Sequence, residues 1–188
     1  MSNSAKRVKR RELYKGRVFT LAEDTIRFPN GTEAKWDILL HSGAAAVVPI
    51  DNEGKIVLVE QYRGVADKNI LEIPAGKLEE GEEPSICAAR ELEEETGYKP
   101  KKLKFICSIY SAVGFSDEII QIYAAVGLDK GVQNLDTDEY VTIRKYTIQE
   151  IVEMILNGKI KDSKTIAAIF TVKEMISNGE ILVPGMQL

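Results

Sequence analysis

The sequence has few of the residues that build zinc sites and nucleophilic triads. Its 188 residues include one histidine, His41, and two cysteines, Cys87 and Cys107. These three residues do not show the ligand spacing of a zinc site, and no serine or cysteine triad can be assembled around His41. We therefore interpret His41 as structural and expect both cysteines to be small buried apolar residues.

The sequence also lacks a strong charge of one sign and a long apolar run. Its net charge is −4, which does not indicate nucleic-acid binding, and we interpret the basic residues between positions 6 and 11 as a solvated, frayed start. No apolar run reaches the length of a membrane span, and no signal peptide is recognisable. We expect a cytoplasmic protein whose partners include neither nucleic acid nor a membrane. The length suits one domain with a small appendage.

An acidic helix is the most informative feature of the chain. Glu91, Glu94 and Glu95 lie within about 100° of one another around a helix axis, because each residue turns the helix by about 100°. Carboxylates at this spacing repel one another, and near a helix C-terminus they also oppose the helix dipole. Such a helix is expected to hold a cation, and oxygen ligands indicate magnesium or manganese. A solvated acidic face is the alternative, but it predicts lysine partners four residues on, and this helix has none.

The ends of this helix carry their own signals. Pro84 stands at a first helical position, where no N–H partner is needed, and Gly97 stands where a left-handed C-cap favours glycine. We therefore predict a helix of about a dozen residues. Arg90 is expected to pair with one of the carboxylates, and Gly76 is expected to allow a close backbone approach.

The remaining pattern predicts strands alternating with helices. Residues 17–28 and 34–40 are strand-like and are joined by Asn30-Gly31, a hairpin turn signal, so residues 1–42 are predicted to form a small β section. Residues 43–188 are predicted to form an α/β domain, a mixed sheet with helices on both faces. Its strands are expected at 44–49, 55–62, 70–73, 103–110, 119–126 and 140–146, and its later helices at 148–156, capped by Thr147, and from Asp162 or Ser163 to about 176.

The acidic segment also carries a known motif. It matches the Nudix box, G-x5-E-x7-R-E-U-x-E-E-x-G-U with U bulky and apolar, and the chain therefore resembles the Nudix hydrolases. The resemblance implies an α/β/α sandwich over roughly residues 43–180. It also implies metal-dependent hydrolysis of a nucleoside diphosphate linked to another group. The matching residues are Gly76, Glu82, Arg90, Glu91, Leu92, Glu94, Glu95, Gly97 and Tyr98.

The segments flanking the box resemble the ADP-ribose pyrophosphatase branch of that family. They are residues 60–63 (EQYR), 71–76 (LEIPAG) and 114–118 (GFSDE). In that branch a β-rich N-terminal section exchanges between two subunits, so the resemblance implies a homodimer in which residues 1–42 help to form the substrate site. One position departs from the branch, because Val113 stands where a proline is usual. Nucleoside diphosphate sugars other than ADP-ribose therefore stay open.

The resemblance also implies roles at the metal site. Glu91 and Glu95, with Glu94 sharing the duty, are expected to bind Mg²⁺ or Mn²⁺ together with the backbone carbonyl of Ala75. Glu94 and Glu95 are thereby also expected to be catalytic. Glu82 is expected to orient or support these ligands, and Arg90 to be structural. For the general base we choose Glu139, from the polar loop at 136–139, with an ordinary loop carboxylate as the alternative.

Four residues are expected to contact substrate. Arg63 is expected to pair with a phosphate, and Glu72 to accept a hydrogen bond from a sugar hydroxyl or a base amine. Trp36 is expected to stack on the base, in the same or the partner subunit's site. Glu118 is a further polar contact. The alternatives are a surface ion pair for Arg63, packing for Trp36 and a loop charge or helix cap for Glu118.

Together these observations predict a function. The chain is expected to hydrolyse the pyrophosphate of ADP-ribose or a related nucleoside diphosphate sugar with magnesium, giving a nucleoside monophosphate and a sugar phosphate. A Nudix hydrolase of nucleoside triphosphates is the alternative enzyme, which the flanking segments disfavour. A non-catalytic nucleotide-sugar sensor is the alternative from another class, and the intact box argues against it.

Overall fold

A computed structural model describes residues 4–135, 137 and 139–183, and these residues form two compact units. The first unit contains the chain up to Gly43 together with Tyr110–Ile119. The second unit contains Ala44–Ile109 and the chain from Ile120 onward. The division of the protein into domains at residue 42 stays a prediction. No helix in the described part of the chain is long and apolar enough to cross a membrane.

The first unit is built on a three-stranded antiparallel sheet in the order β1-β2-β3. The predicted hairpin is confirmed, since Gly31 has φ +85° and the Asn30 side chain accepts the Thr32 N–H at 3.1 Å. Backbone bonds between Leu39 and residues 115 and 117 tie β3 to the second segment of this unit. The strands are β1 (Lys6–Lys15), β2 (Thr20–Arg27) and β3 (Glu33–Leu40).

The interpretation of the N-terminal basic residues as a frayed start is wrong. They form β1, an edge strand, and Arg10 donates two hydrogen bonds to Asp24 at 2.7 and 2.6 Å. Asp24 is buried on β2, and the bonds from Arg10 lower the pKa of its carboxyl. The strand was missed because seven of its ten residues are charged and nearly all are exposed, so it shows no apolar alternation.

The second unit contains a seven-stranded mixed sheet. Its main order is β10-β5-β4-β9-β8, with β6 paired to β5 and β7 paired to β4. β4 runs parallel to β9 and is buried at every residue, which places it at the centre. The strands are β4 (Ala44–Ile50), β5 (Ile56–Arg63), β6 (Lys68–Glu72), β7 (Ala75–Lys77), β8 (Tyr98–Tyr110), β9 (Ile119–Lys130) and β10 (Val141–Tyr146).

Helices cover both faces of this sheet, so the predicted α/β/α sandwich is confirmed. The helices are α1 (Pro84–Thr96), α2 (Ile148–Leu156) and α3 (Ser163–Ser177). Side chains alternate across β4, so Ala45 and Val47 pack in one cluster with α1 residues such as Leu92. Ala46 and Val48 pack in the other cluster, which contains residues of α2 and α3.

The helix starts agree with the sequence signals. Thr147 caps α2 in a capping box with Glu150, and Asp162 caps α3 by accepting the Thr165 N–H at 3.0 Å. Several details differ from the prediction: β8 begins at Tyr98, only one residue after α1, β9 continues to Lys130, and β7 is a short strand that the pattern did not indicate. Cys87 is fully buried as expected, whereas Cys107 is only partly buried, and both thiols are free.

Candidate active site

Helix α1 is fixed at both ends by the residues that the sequence singled out. Pro84 occupies its first turn, and Gly97 ends it with φ +69°, donating its N–H to the Glu93 carbonyl at 2.7 Å. A β-carbon at Gly97 would come within 2.9 Å of the Gln133 backbone nitrogen. The buried side of the helix, which includes Leu92, packs on the sheet. The position of the helix along its axis and its rotation about that axis are thereby fixed, and with them the positions of the acidic residues.

Gly76 makes room for one of these carboxylates. It lies on β7, and a β-carbon built there would overlap the side chain of Glu91. The predicted close approach at Gly76 is therefore confirmed, and the group that makes it is Glu91. A larger residue would force the carboxylate away from the strand.

Arg90 gathers three carboxylates around its guanidinium. Its Nε and Nη2 donate to Glu82 at 2.9 and 3.0 Å, and its Nη1 donates to Glu91 at 2.6 Å and to Glu94 at 2.9 Å. The hydrogen bonds from Arg90 lower the pKa of Glu82 to about 2, and they raise the pKa of Arg90. The predicted structural pairing of Arg90 is confirmed, with three carboxylates instead of one.

Glu95 is the most deeply buried carboxylate of the cluster. Its side chain is 3% exposed and accepts the Ala75 N–H at 3.3 Å. Burial raises the pKa of the Glu95 carboxyl to about 8, and the charges of Glu91, Glu139 and Glu72 add to the rise. Burial also raises the pKa of Glu91, although Arg90 opposes this. The cluster therefore carries more negative charge than Arg90 alone neutralises.

The donors suit a hard divalent cation. In residues 4–135, 137 and 139–183, no three Asp, Glu, His or Cys side chains are already arranged around one metal position, because Glu91 and Glu94 are turned to Arg90. The donor set is nevertheless oxygen only, and a nearby cation would favour the ionised form of Glu95. Ala75 lies beside this carboxylate through its N–H, so its backbone is placed next to the cluster.

Glu139 lies near Glu91 and Glu95. It precedes β10, and its charge contributes to the raised pKa values of both Glu91 and Glu95. The other acidic members of its loop, Asp136 and Asp138, lie outside the described residues. The role of Glu139 as the base stays a prediction.

Arg63 and Glu72 form a pair that a third residue completes. The Arg63 Nε donates to the Glu72 Oε1 at 2.6 Å, and Glu72 is 3% exposed. Lys164, on α3, bonds to the other carboxylate oxygen of Glu72 and lies 3.1 Å from the Asp162 carboxylate. Sequence reasoning missed Lys164, since 92 residues separate it from Glu72 and no local signal connects them. Whether Arg63 and Glu72 bind substrate stays a prediction.

Trp36 and Glu118 belong to the first unit. Trp36 lies on β3 with its side chain 47% exposed and packs edge-on against Phe28, with ring centroids 6.3 Å apart. The Glu118 carboxylate lies 3.4 Å from Nδ1 of His41, and that nitrogen also accepts the Gly43 N–H at 3.0 Å. His41 thus organises a turn, as expected, and the proposed substrate contacts of Trp36 and Glu118 stay predictions.

Comparison with known proteins gives related chains over most of the sequence. The NUDIX domain model matches residues 40–169. A protein described as "Methanol dehydrogenase activator" from Bacillus methanolicus is 46% identical over 166 residues, which cover 87% of this chain and 90% of that protein. An ADP-ribose pyrophosphatase from Bacillus subtilis (strain 168) is 40% identical over the same shares, 87% and 90%. One from Mycobacterium tuberculosis (strain ATCC 25618 / H37Rv) is 36% identical over 85% of this chain and 79% of its own.

The fold also has a solved counterpart. The crystal structure of an ADP compounds hydrolase superposes with a TM-score of 0.82, covering 94% of this chain and 97% of that chain. The two sequences are 20% identical, so this likeness concerns the fold.

Proposed function

The chain belongs to the Nudix family of hydrolases, and from that premise we propose that it hydrolyses the pyrophosphate of a nucleoside diphosphate sugar. ADP-ribose is the leading substrate, because relatives at 40% and 36% identity are ADP-ribose pyrophosphatases. The products would be a nucleoside monophosphate and a sugar phosphate, which are AMP and ribose 5-phosphate for ADP-ribose. The observation that carries this proposal is the partly buried carboxylate cluster of α1, held by Arg90 and by the space at Gly76.

The residues of the cluster have two proposed roles, as metal ligands and as residues that position those ligands. Glu91, Glu94, Glu95 and the Ala75 carbonyl would hold Mg²⁺ or Mn²⁺. When bound, such an ion supplies positive charge that stabilises the charge developing on the pyrophosphate oxygens. Glu82 fixes the Arg90 guanidinium, and that guanidinium in turn keeps Glu91 and Glu94 close to the cluster.

Proton transfer and substrate contacts fall to residues around the cluster. Glu139 would accept the proton of the water that attacks one phosphorus atom. Arg63 would bind a phosphate oxygen with guanidinium N–H groups not used by Glu72, which accepts from Nε. Trp36 would stack on the base and Glu118 would bind a polar group of the substrate. In this proposal the protein is a cytoplasmic homodimer, and residues 1–42 form a separate β domain that completes the partner's site.

One assay tests the proposal against its alternatives. ADP-ribose, ADP-glucose, GDP-mannose, UDP-glucose, NADH and a nucleoside triphosphate are incubated with the protein, with and without Mg²⁺, and the products are identified. Monophosphate release from a nucleotide sugar only with Mg²⁺ is the expected result. Preference for the triphosphate would instead favour the alternative enzyme. Binding of the sugars without any cleavage would indicate a sensor.

Glu95→Gln provides the matching variant for this assay. It keeps the shape and the Ala75 contact but removes the ionised carboxylate, so turnover should fall by orders of magnitude, about 10² or more. Circular dichroism should show a preserved fold. Near-normal turnover by this variant would reject the metal-holding role of Glu95.

A second candidate function follows from the relative at 46% identity, the methanol dehydrogenase activator. The nicotinamide dinucleotides that dehydrogenases use contain a pyrophosphate bridge, so the same hydrolytic chemistry suits them. An NAD-dependent methanol dehydrogenase would be assayed with the parent protein and with Glu95→Gln. Acceleration by the parent alone would support an activating function that depends on hydrolysis.

A further inference from the structure

A basic pocket of about 530 Å³ opens on the second unit. It lies between the turn that joins β5 to β6 and the loop that joins α2 to α3, and its wall contains five lysine or arginine side chains but only two carboxylates. Three positive charges are therefore in excess at this place, although the whole chain carries a net charge of −4. A local excess of this kind attracts anions.

The two carboxylates of the pocket are already neutralised. Glu72 accepts from Arg63 at 2.6 Å and also bonds to Lys164. Asp162 lies 3.1 Å from the Lys164 ammonium and caps α3 through Thr165. These two acids and two bases offset one another, so the excess charge resides on the remaining three lysines of the wall.

Those three are Lys68, Lys159 and Lys161, and none of them has a carboxylate partner among the residues that the structure describes. Asp67, the neighbour of Lys68, accepts from the Tyr62 hydroxyl at 2.7 Å and is not part of the pocket wall. The three ammonium groups are therefore available to a ligand.

The loop that carries two of these lysines is anchored. Ile160, between Lys159 and Lys161, is 1% exposed and packs in the core. The backbone N–H groups of Lys159 and Ile160 both donate to the Met154 carbonyl, at 2.8 and 3.0 Å. Because the backbone is fixed, less ordering is needed to bring the two ammonium groups to one ligand.

We propose that this pocket binds the phosphate group of a small phosphorylated molecule through Lys68, Lys159 and Lys161. A phosphate at neutral pH carries nearly two negative charges and three acceptor oxygens, which match three ammonium donors. The volume exceeds that of phosphate alone, and Val65 and Ile70 add apolar wall for an attached group such as a sugar.

Two sources of this group are compatible with the chemistry, a sugar phosphate and free inorganic phosphate. The sugar phosphate rests on the proposed function, of which it is the product. The pocket also lies close to the acidic cluster along the chain, because its wall residue Glu72 is three residues before Ala75, whose N–H donates to Glu95 at 3.3 Å. A product released at the cluster would have a short path to it.

Isothermal titration calorimetry tests the pocket directly. Inorganic phosphate and ribose 5-phosphate are titrated separately into the full chain at low salt, with a chelator present to remove divalent ions. The variant Lys159→Gln/Lys161→Gln should weaken binding by about tenfold or more, and Lys68→Gln should weaken it by a smaller factor. The control Lys102→Gln/Lys173→Gln removes two exposed lysines elsewhere and should bind as the parent does. Tighter binding of ribose 5-phosphate would identify the sugar phosphate as the ligand, and equal binding would identify phosphate itself.

Binding that is unaffected by the pocket variants, or no binding by the parent, would overturn the proposal. Circular dichroism checks that each variant is folded, and Lys68→Gln, on the opposite side, supplies a second test if the double variant does not fold. Hydrolysis of ADP-ribose is measured separately. Cleavage without phosphate binding would reject the phosphate-binding pocket but not the proposed enzyme activity. Pocket-dependent binding without cleavage of any substrate would reject the enzyme activity but not the pocket.

Discussion

Gly76 lies so close to Glu91 that no β-carbon fits between them. Gly76→Ala should therefore displace the Glu91 carboxylate, lower turnover by about tenfold or more and destabilise the fold by about 1–3 kcal/mol. Steady-state kinetics and urea denaturation measure these two effects. The matched control is Gly114→Ala, whose added methyl meets no atom within 4 Å. If Gly76→Ala has the same turnover and stability as this control, the close approach of Gly76 to Glu91 is not needed for either.

The raised pKa of Glu95, about 8, predicts how metal-free stability depends on pH. The folded protein holds this proton more tightly than the unfolded chain, whose glutamates titrate near pH 4.3. The contribution is therefore complete below about pH 4 and is lost as the pH rises through about 8. With chelator present, the free energy of unfolding should fall by a few kcal/mol between about pH 5 and 8, at about 1.4 kcal/mol per pKa unit.

Denaturant titrations at several pH values measure this slope. Glu95→Gln removes the titrating group and should flatten the profile, so it serves as the control. A parent protein that gains stability over the same pH range without metal would contradict the assignment of the raised pKa to Glu95.

Arg90→Met should leave Glu82, Glu91 and Glu94 without their shared partner. Since Glu82 and Glu91 are largely buried, the loss should cost about 1–3 kcal/mol of stability. Lys99→Met is the matched control. Lys99, on β8, forms an exposed ion pair with Glu93 of α1 at 2.9 Å, and its loss should cost about 0.5 kcal/mol. Thermal and chemical denaturation compare the two, and equal losses would show that the cluster adds nothing beyond a surface pair.

Glu139→Gln tests proton transfer. If Glu139 is the base, turnover should fall by about 10² and the pH–rate profile should change shape, because the group that accepts the proton is absent. The pH–rate profiles of parent and variant decide this. Glu53→Gln, a change at an exposed carboxylate in another loop, is expected to leave the profile as it is. An unchanged profile and rate in Glu139→Gln would remove it from the mechanism.

Local signals explain which parts of the structure the sequence predicts well. The start of α1 at Pro84, its end at Gly97 and the cap at Thr147 each depend on residues within one turn of the helix. The central strands β4 and β5 of the second unit were recognisable because they are rich in buried apolar side chains. Strand β1 was not recognisable, because its conformation depends on pairing with β2 and its own charged sequence does not indicate a strand.

Long-range contacts explain what the sequence did not predict. The family motif placed Glu91, Glu94 and Glu95 together, but it gave no sign that Arg90 would hold three carboxylates at once. Lys164 joins Glu72 only after α3 packs against the sheet. The basic pocket combines a lysine of β6 with two lysines of the loop between α2 and α3, far apart in the chain. Pairings of this kind depend on tertiary structure, so no local or periodic pattern in the sequence indicates them.

The proline at one end of α1 and the left-handed glycine at the other fix its thirteen-residue length. Adding or deleting a single residue between them would rotate everything beyond the change by about 100° and shift it by about 1.5 Å along the axis. The carboxylates would then point at a different part of the sheet, and the glycine could no longer form its turn. This segment can therefore diverge between related proteins by exchanging side chains, but hardly by changing its length.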